Sequence, residues 1–111
     1  NSFKNKKVDL TTTDLTTLYT VPSATTTVIK SLLVSDDSGS GTTIDITLVN
    51  SSGTIFNLFK SKSISGNATT ELLSQPLVME ESEVLKVQSG YANRLHVVAS
   101  VLEIQPREVT A

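Results

Sequence analysis

Thr43-Ile44-Asp45-Ile46-Thr47-Leu48, followed by Asn50-Ser51-Ser52-Gly53 and then by Thr54-Ile55-Phe56-Asn57-Leu58-Phe59-Lys60, decides the fold class. Ile44, Ile46 and Leu48 alternate with Thr43, Asp45 and Thr47, so an extended chain has one apolar and one wet face, the period of a half-buried strand. Asn50 to Gly53 reads as a hairpin loop whose glycine can take positive φ. The return segment carries Ile55, Phe56, Leu58 and Phe59, two of the three phenylalanines in the chain. This hairpin is the first candidate for the core.

The same period recurs outward from it. Val8 and Leu10 share one face of a first strand, Leu18 to Val21 forms a second that stops at Pro22, and Thr26 to Ser35 forms a longer third. Asp36-Asp37-Ser38-Gly39-Ser40-Gly41 is a dense cluster of turn formers, with Gly39-Ser40-Gly41 read as a flexible turn. After a polar loop at Ser61 to Ala68 come short strands at Thr69 to Leu73 and Leu77 to Met79, separated by Pro76, then Val84 to Gln88 and Arg94 to Ile104. Thr69 to Leu73 and Glu80 to Val84 could each form one helical turn, but no window of helical length keeps a 3.6-residue period. Seven or eight short strands in one chain predict an all-β, two-sheet antiparallel sandwich of jelly-roll or immunoglobulin-like type. The predicted division is an N-terminal arm at 1–7, a sandwich at 8–104 and a C-terminal tail at 105–111.

Composition narrows the function. The chain has 111 residues, no cysteine and a formal net charge of -2, with a pI near 5.2. Without thiols there is neither a disulfide framework nor a thiolate metal site, and stability must come from packing or oligomerisation. The charge balance provides no basic field of the kind that holds nucleic acid, so no nucleic-acid partner is expected. No apolar run is long enough for a membrane-spanning helix, so no membrane is expected either, and no export signal is visible. The first residue is not Met, which leaves room for a removed initiator or leader. Serine and threonine exceed a quarter of the chain, yet they alternate with Val, Ile, Leu and Phe as strand residues do.

Candidate chemistry is sparse. His96 is the single histidine and reads as a strand residue, since the usual nucleophile-plus-base and zinc constellations need partners that are missing. Asp36-Asp37 and Glu80-Glu81-Glu83 offer oxygen ligands without the ordered spacing of a calcium loop, and are read as solvated turn charges. The sequons at Asn50 and Asn67 carry no weight in so Ser- and Thr-rich a chain. No enzyme, no catalytic residue, no metal and no cofactor is expected.

Two strands depart from simple alternation. The third carries Val28, Leu32 and Val34 on one face and Ile29 and Leu33 on the other; the last carries Val98, Leu102 and Ile104 opposite Leu95, Val97, Ala99 and Val101. Two readings follow: β-branched residues that favour strands even when exposed, or second faces covered by a neighbouring chain or by the chain's own ends. On the second reading Ile29, Leu33, Leu95, Val97 and Val101 are interface candidates. The ends, which fall outside the strand pattern, are expected to act as arms contacting partners. Phe3 is the apolar anchor of the first arm, and Lys4, Lys6 and Lys7 are its basic contacts.

Three stretches together carry a family resemblance: Thr16-Thr17-Leu18-Tyr19-Thr20-Val21-Pro22 running on into Val28 to Gly39, Glu71-Leu72-Leu73 to Pro76-Leu77-Val78-Met79-Glu80, and Val84-Leu85-Lys86-Val87-Gln88-Ser89 to His96 through Glu103. Over roughly residues 8 to 104 the chain resembles the small β-sandwich virion proteins of tailed bacteriophages, especially those of cyanobacteria and marine bacteria. Ser82 departs from it, where such sequences often have glycine. The resemblance implies a virion protein assembled in the bacterial host cytoplasm, binding copies of itself, with a trimer favoured, and other virion proteins. It implies first a capsid cement, or decoration, protein bound across major-capsid subunits, with a neck, tail or baseplate component as the alternative. A carbohydrate-binding sandwich is a weaker third reading, because sugar platforms need exposed aromatics and the chain has no Trp and only Tyr19 and Tyr91 as tyrosines.

Overall fold

The computed structural model describes residues 1–106, and in it the hairpin read from Thr43 to Lys60 is the turning point of the whole chain. Nine strands form among the described residues: β1 (Ser2–Leu10), β2 (Thr16–Thr20), β3 (Thr26–Asp36), β4 (Thr42–Val49), β5 (Ile55–Ile64), β6 (Thr69–Glu71), β7 (Leu77–Met79), β8 (Val84–Ser89) and β9 (Leu95–Ile104). The predicted all-β sandwich is what forms, and neither Thr69–Leu73 nor Glu80–Val84 makes a helical turn.

Sheet A has the order β1-β9-β3-β6, with β7 also pairing β3, and sheet B the order β2-β8-β4-β5. Every pairing is antiparallel. From the β4–β5 hairpin the two arms of the chain run back side by side, β3 against β6 and β7, β2 against β8, β1 against β9. That double-Greek-key order is the jelly roll, and it decides between the two sandwich types. β6 and β7 are two pieces of one edge strand, interrupted by the segment ending at Pro76, which cannot donate to a ladder.

The core lies between the sheets. Sheet A contributes Leu10, Ile29, Leu32, Val34, Met79, Leu95, Val97, Ala99 and Val101; sheet B contributes Leu18, Tyr19, Ile44, Ile46, Leu48, Ile64, Leu85 and Val87. The predicted wet face of β4 points away from this core, although Thr47 on it is itself buried.

Three features differ from the expectation. β1 begins at Ser2, not near Val8: the segment expected as an arm pairs with β9 along its whole length, Phe3 opposite Leu102 and Lys7 opposite Val98. β9 offers a free ladder edge there, and its hydrogen bonds outweigh the weak apolar pattern of the segment. β5 runs on to Ile64 through the supposed polar loop, irregular opposite Ile44 to Thr47, with Ser61 at φ 51° and its amide bonded to Asp45 Oδ1 at 2.6 Å. The third difference is the bulge in β3. Ile29 pairs Val101 but Ser31 pairs Ser100, leaving Lys30 as the extra residue.

That extra residue moves every later side chain of β3 to the opposite face. Ile29 therefore joins Leu32 and Val34 in the core, while Val28 and Leu33 face outward. The Glu71 carboxylate holds the bulge, accepting from the Ser31 hydroxyl and from the Leu32 amide at 2.7 Å. Burial works to raise the Glu71 pKa, but these bonds and one from the Leu73 amide bring it below the usual value.

Candidate functional site

The bulge sorts the interface candidates into two groups. Ile29, Leu95, Val97 and Val101 are at most 1% exposed and lie between the sheets, so the expectation that they form an open second face is corrected. Leu33 does face out, beside Val98 in the same ladder. The open apolar face of sheet A is built instead from the opposite parity of β9, where Val98, Leu102 and Ile104 are half-buried.

One row across this face is continuous. Phe3 pairs Leu102, Leu102 pairs Val28, and Val28 pairs Val78. Directly opposed antiparallel residues share a face, so the four apolar side chains cross sheet A from its β1 edge to its β7 edge. The two at the ends are the most open, Phe3 at 77% and Val78 at 58% exposed. Val78 is absent from the sequence-level candidates because a three-residue strand shows too little alternation to reveal which way its middle residue points.

The lysines of the first strand divide by parity. Lys4 and Lys6 lie on the side toward sheet B. Lys4 Nζ sits 2.9 Å from Glu103 Oε1, and Lys6 Nζ is 5.8 Å from the centre of the Tyr19 ring, within cation–π range. Lys7 lies on the outer face and donates to Asn5 Oδ1 at 3.0 Å. Of the lysines, Lys4 and Lys30, the latter on the β3 bulge, border a depression on the β1 side of sheet A that Phe3, Asn5, Ser100 and Val101 complete.

The opposite side of the same end is acidic. Glu80, Glu81 and Glu83 follow β7 directly. Glu81 Oε2 accepts from the Ala24 amide at 3.0 Å and Glu83 Oε1 from the Glu80 amide at 2.8 Å. Near this turn, β5 exposes Ile55, Phe56 and Leu58, where Val49 pairs Ile55 and Val84.

Buried charge is used structurally. Glu103 is 3% exposed, and Tyr19 Oη donates to its Oε2 at 2.6 Å. That bond, with Lys4, holds the carboxyl below the usual glutamate range although burial opposes it. Burial, reinforced by Glu103, pushes the Tyr19 hydroxyl up from 10.0 to about 12. Asp36, read as a solvated turn charge, is 3% exposed. Its oxygens accept from the amides of Ser38, Gly39, Gly41 and Asn67. Burial alone would raise its pKa, but the bonds from Asn67, Gly39 and Ser38 lower it. The Gly39–Gly41 turn is therefore pinned, with both glycines at positive φ.

His96 Nε2 lies 3.1 Å from Asp9 Oδ1 and its Nδ1 3.8 Å from Asp37 Oδ2, on the rim of sheet A. Among the described residues no cluster of three or more His, Asp or Glu side chains could hold a metal. Tyr19 is buried, and Tyr91, 58% exposed, lies under the Arg94 guanidinium at 4.1 Å. Neither tyrosine offers an open sugar platform.

No family model and no curated protein sequence matches this chain. Among the solved structures similar to it are two phage proteins. One, a pentameric capsid protein isolated from metagenomic phage sequences, aligns with a TM-score of 0.50 at 18% identity over 98% of this chain and 66% of its own. The other, also a pentameric capsid protein isolated from metagenomic phage sequences and solved by iodide phasing, aligns with a TM-score of 0.47 at 17% identity over 98% of this chain and 74% of its own. The chain spans just under two-thirds of the length of the first. At these identities the likeness is one of fold.

Proposed function

We propose that this jelly roll is a structural protein of a phage particle that works by packing against copies of itself. The observation that carries the reading is the apolar row Phe3–Leu102–Val28–Val78 left open on sheet A. A face of this kind, rimmed by charge, is the mark of a protein contact. The fold supports it, because a similar structure aligned over 98% of the chain is a pentameric capsid protein.

Within that reading we place the protein on the capsid as a cement bound across major-capsid subunits, in line with the resemblance of its sequence. The trimer implied by that resemblance and a pentamer, the state of the structural neighbour, are the two stoichiometries to separate. Light scattering on the purified full chain over a wide concentration range is the test of self-assembly. A multiple of 11.9 kDa supports the reading, and a monomer at every concentration rejects it. Quantifying copies per particle tests the cement role, since a capsid-wide cement is present in far more copies than a neck or tail ring.

A further inference from the structure

The strand registers set the outer face of sheet A in level rows. Phe3, Leu102, Val28 and Val78 form the first. Asn5, Ser100 and Ser31 form a second, polar row, closed by the Glu71 carboxylate that accepts from the Ser31 hydroxyl. Lys7, Val98, Leu33 and Glu71 form the third, and Asp9, His96, Ser35 and Thr69 the fourth. The third row is therefore basic at its β1 end, apolar in the middle and acidic at its β6 end, with Lys7 and Glu71 both exposed.

We propose that this face pairs with the same face of a second copy, about a two-fold axis that runs along the strands and passes over the gap between β9 and β3. The inference rests on the self-packing read above and adds the face and its symmetry. Such an axis lays each row on the same row of the second copy, reversed end for end, and every contact occurs twice. Phe3 covers the second copy's Val78, Leu102 its Val28 and Val98 its Leu33, while Lys7 meets its Glu71. Charge and polarity select this axis. A two-fold across the strands would lay the first row on the fourth, Phe3 on Asp9 and Leu102 on His96, and would leave Lys7 over Asn5. A two-fold at the β1 edge would set β1 beside β1, with Lys4, Lys6 and Lys7 on both sides. Twisted sheets stacked face to face cross at about 30°, which displaces the outermost strands by about one residue, half the spacing between rows, so the pairs are kept. Lys30 borders the depression beside Phe3 and Asn5, and in this pairing that depression lies over the second copy's β3–β6 edge, near its Glu71. The contact is compatible with a ring of three or of five, because it joins a copy in one ring to a copy in the next.

The chain has no cysteine, so cysteines introduced into the full chain and joined by a short bis-maleimide report the contact on a denaturing gel. Val98→Cys, beside the axis, is expected to link to itself as a dimer, and Lys60→Cys on β5 of sheet B is not. An equal mixture of Asp9→Cys and Thr69→Cys is expected to give the mixed dimer, and a mixture of Val78→Cys and Thr69→Cys is not. By light scattering and native mass spectrometry, Leu33→Asp is expected to lose association by roughly thirtyfold or more and Lys7→Glu by roughly tenfold. Both are expected to keep the circular dichroism of the natural chain. Suppose the natural chain assembles while Val98→Cys links no more than Lys60→Cys, or Leu33→Asp or Lys7→Glu assembles equally well, or Thr69→Cys links to Val78→Cys in place of Asp9→Cys. Any of these overturns the face pairing and leaves self-packing standing. A natural chain that stays monomeric at every concentration overturns both.

Discussion

Tyr19 on β2 and Glu103 on β9 are joined across the two sheets by a 2.6 Å hydrogen bond from the phenol to the carboxylate. Thr27 Oγ1 lies 2.7 Å from the same phenol oxygen, and because that oxygen has given its one proton to Glu103, the threonine is the donor. Lys4 Nζ takes the other carboxylate oxygen. Four strands, β1, β2, β3 and β9, are thereby tied at one end of the sandwich, close to Phe3.

Tyr19→Phe removes a bond to a charged, buried acceptor and is expected to cost about 1.5–3 kcal/mol in chemical denaturation. The phenol also gives an alkaline signature. Its folded pKa is raised from 10.0 to about 12, so its stabilising contribution is complete below pH 10 and falls as the pH rises toward about 12. Unfolding midpoints measured between pH 9 and pH 12 should drop for the natural chain and drop less for Tyr19→Phe.

Removing residues 1–7 tests whether this segment is an arm or a strand. Paired along β9, it supplies Lys4 to a buried carboxylate, so its loss should leave the domain folded but less stable by about 2–3 kcal/mol, less than a fully buried pair because Lys4 is half exposed. Lys4→Met should reproduce much of that loss and Phe3→Ala little. Equal unfolding midpoints for the intact and shortened chains would show that β1 contributes nothing to stability.

Glu103, Asp36 and Glu71 all have folded pKa values below their ordinary values of 4.5, 3.8 and 4.5. Groups depressed in this way stabilise the fold above their unfolded pKa and lose that contribution as the pH falls through the folded value. Stability should therefore be steady through the neutral range and decline below about pH 4.5. Asp36→Asn should flatten part of the decline and lower the midpoint at pH 7, because an amide cannot accept as many backbone bonds. Gly66→Ala should be damaging at every pH, since its methyl would meet the Gly39 carbonyl oxygen at 2.3 Å.

The parity of the sandwich is tested by a pair of substitutions. Val97→Asp places an unpaired charge in a fully buried site and is expected to cost about 4 kcal/mol or more, enough to unfold a small domain. Leu33→Asp, on the outer face at 37% exposure, should stay within about 1 kcal/mol in a monomer. Similar losses at the two positions would contradict the placement of the β3 and β9 faces.

The sequence by itself determined the all-β class, the hairpin at Asn50–Gly53 and the existence of two strands with apolar residues on both faces. Those conclusions rest on a period of two and on local turn chemistry, both carried by neighbouring residues. Strand order did not follow, because the partner of β1 lies about ninety residues along the chain and alternation is the same whichever strand lies alongside. Nor did the sorting of faces. Ile29 and Leu33 share a parity in the sequence, yet the extra residue Lys30 sends one into the core and leaves the other outside. What holds that residue out of register is the carboxylate of Glu71, 40 residues from Ser31, and a bond between such distant positions exists only once the sheet has formed. The open row Phe3–Leu102–Val28–Val78 draws one residue from each of four strands, so only the tertiary structure, by aligning their registers, could bring it into being.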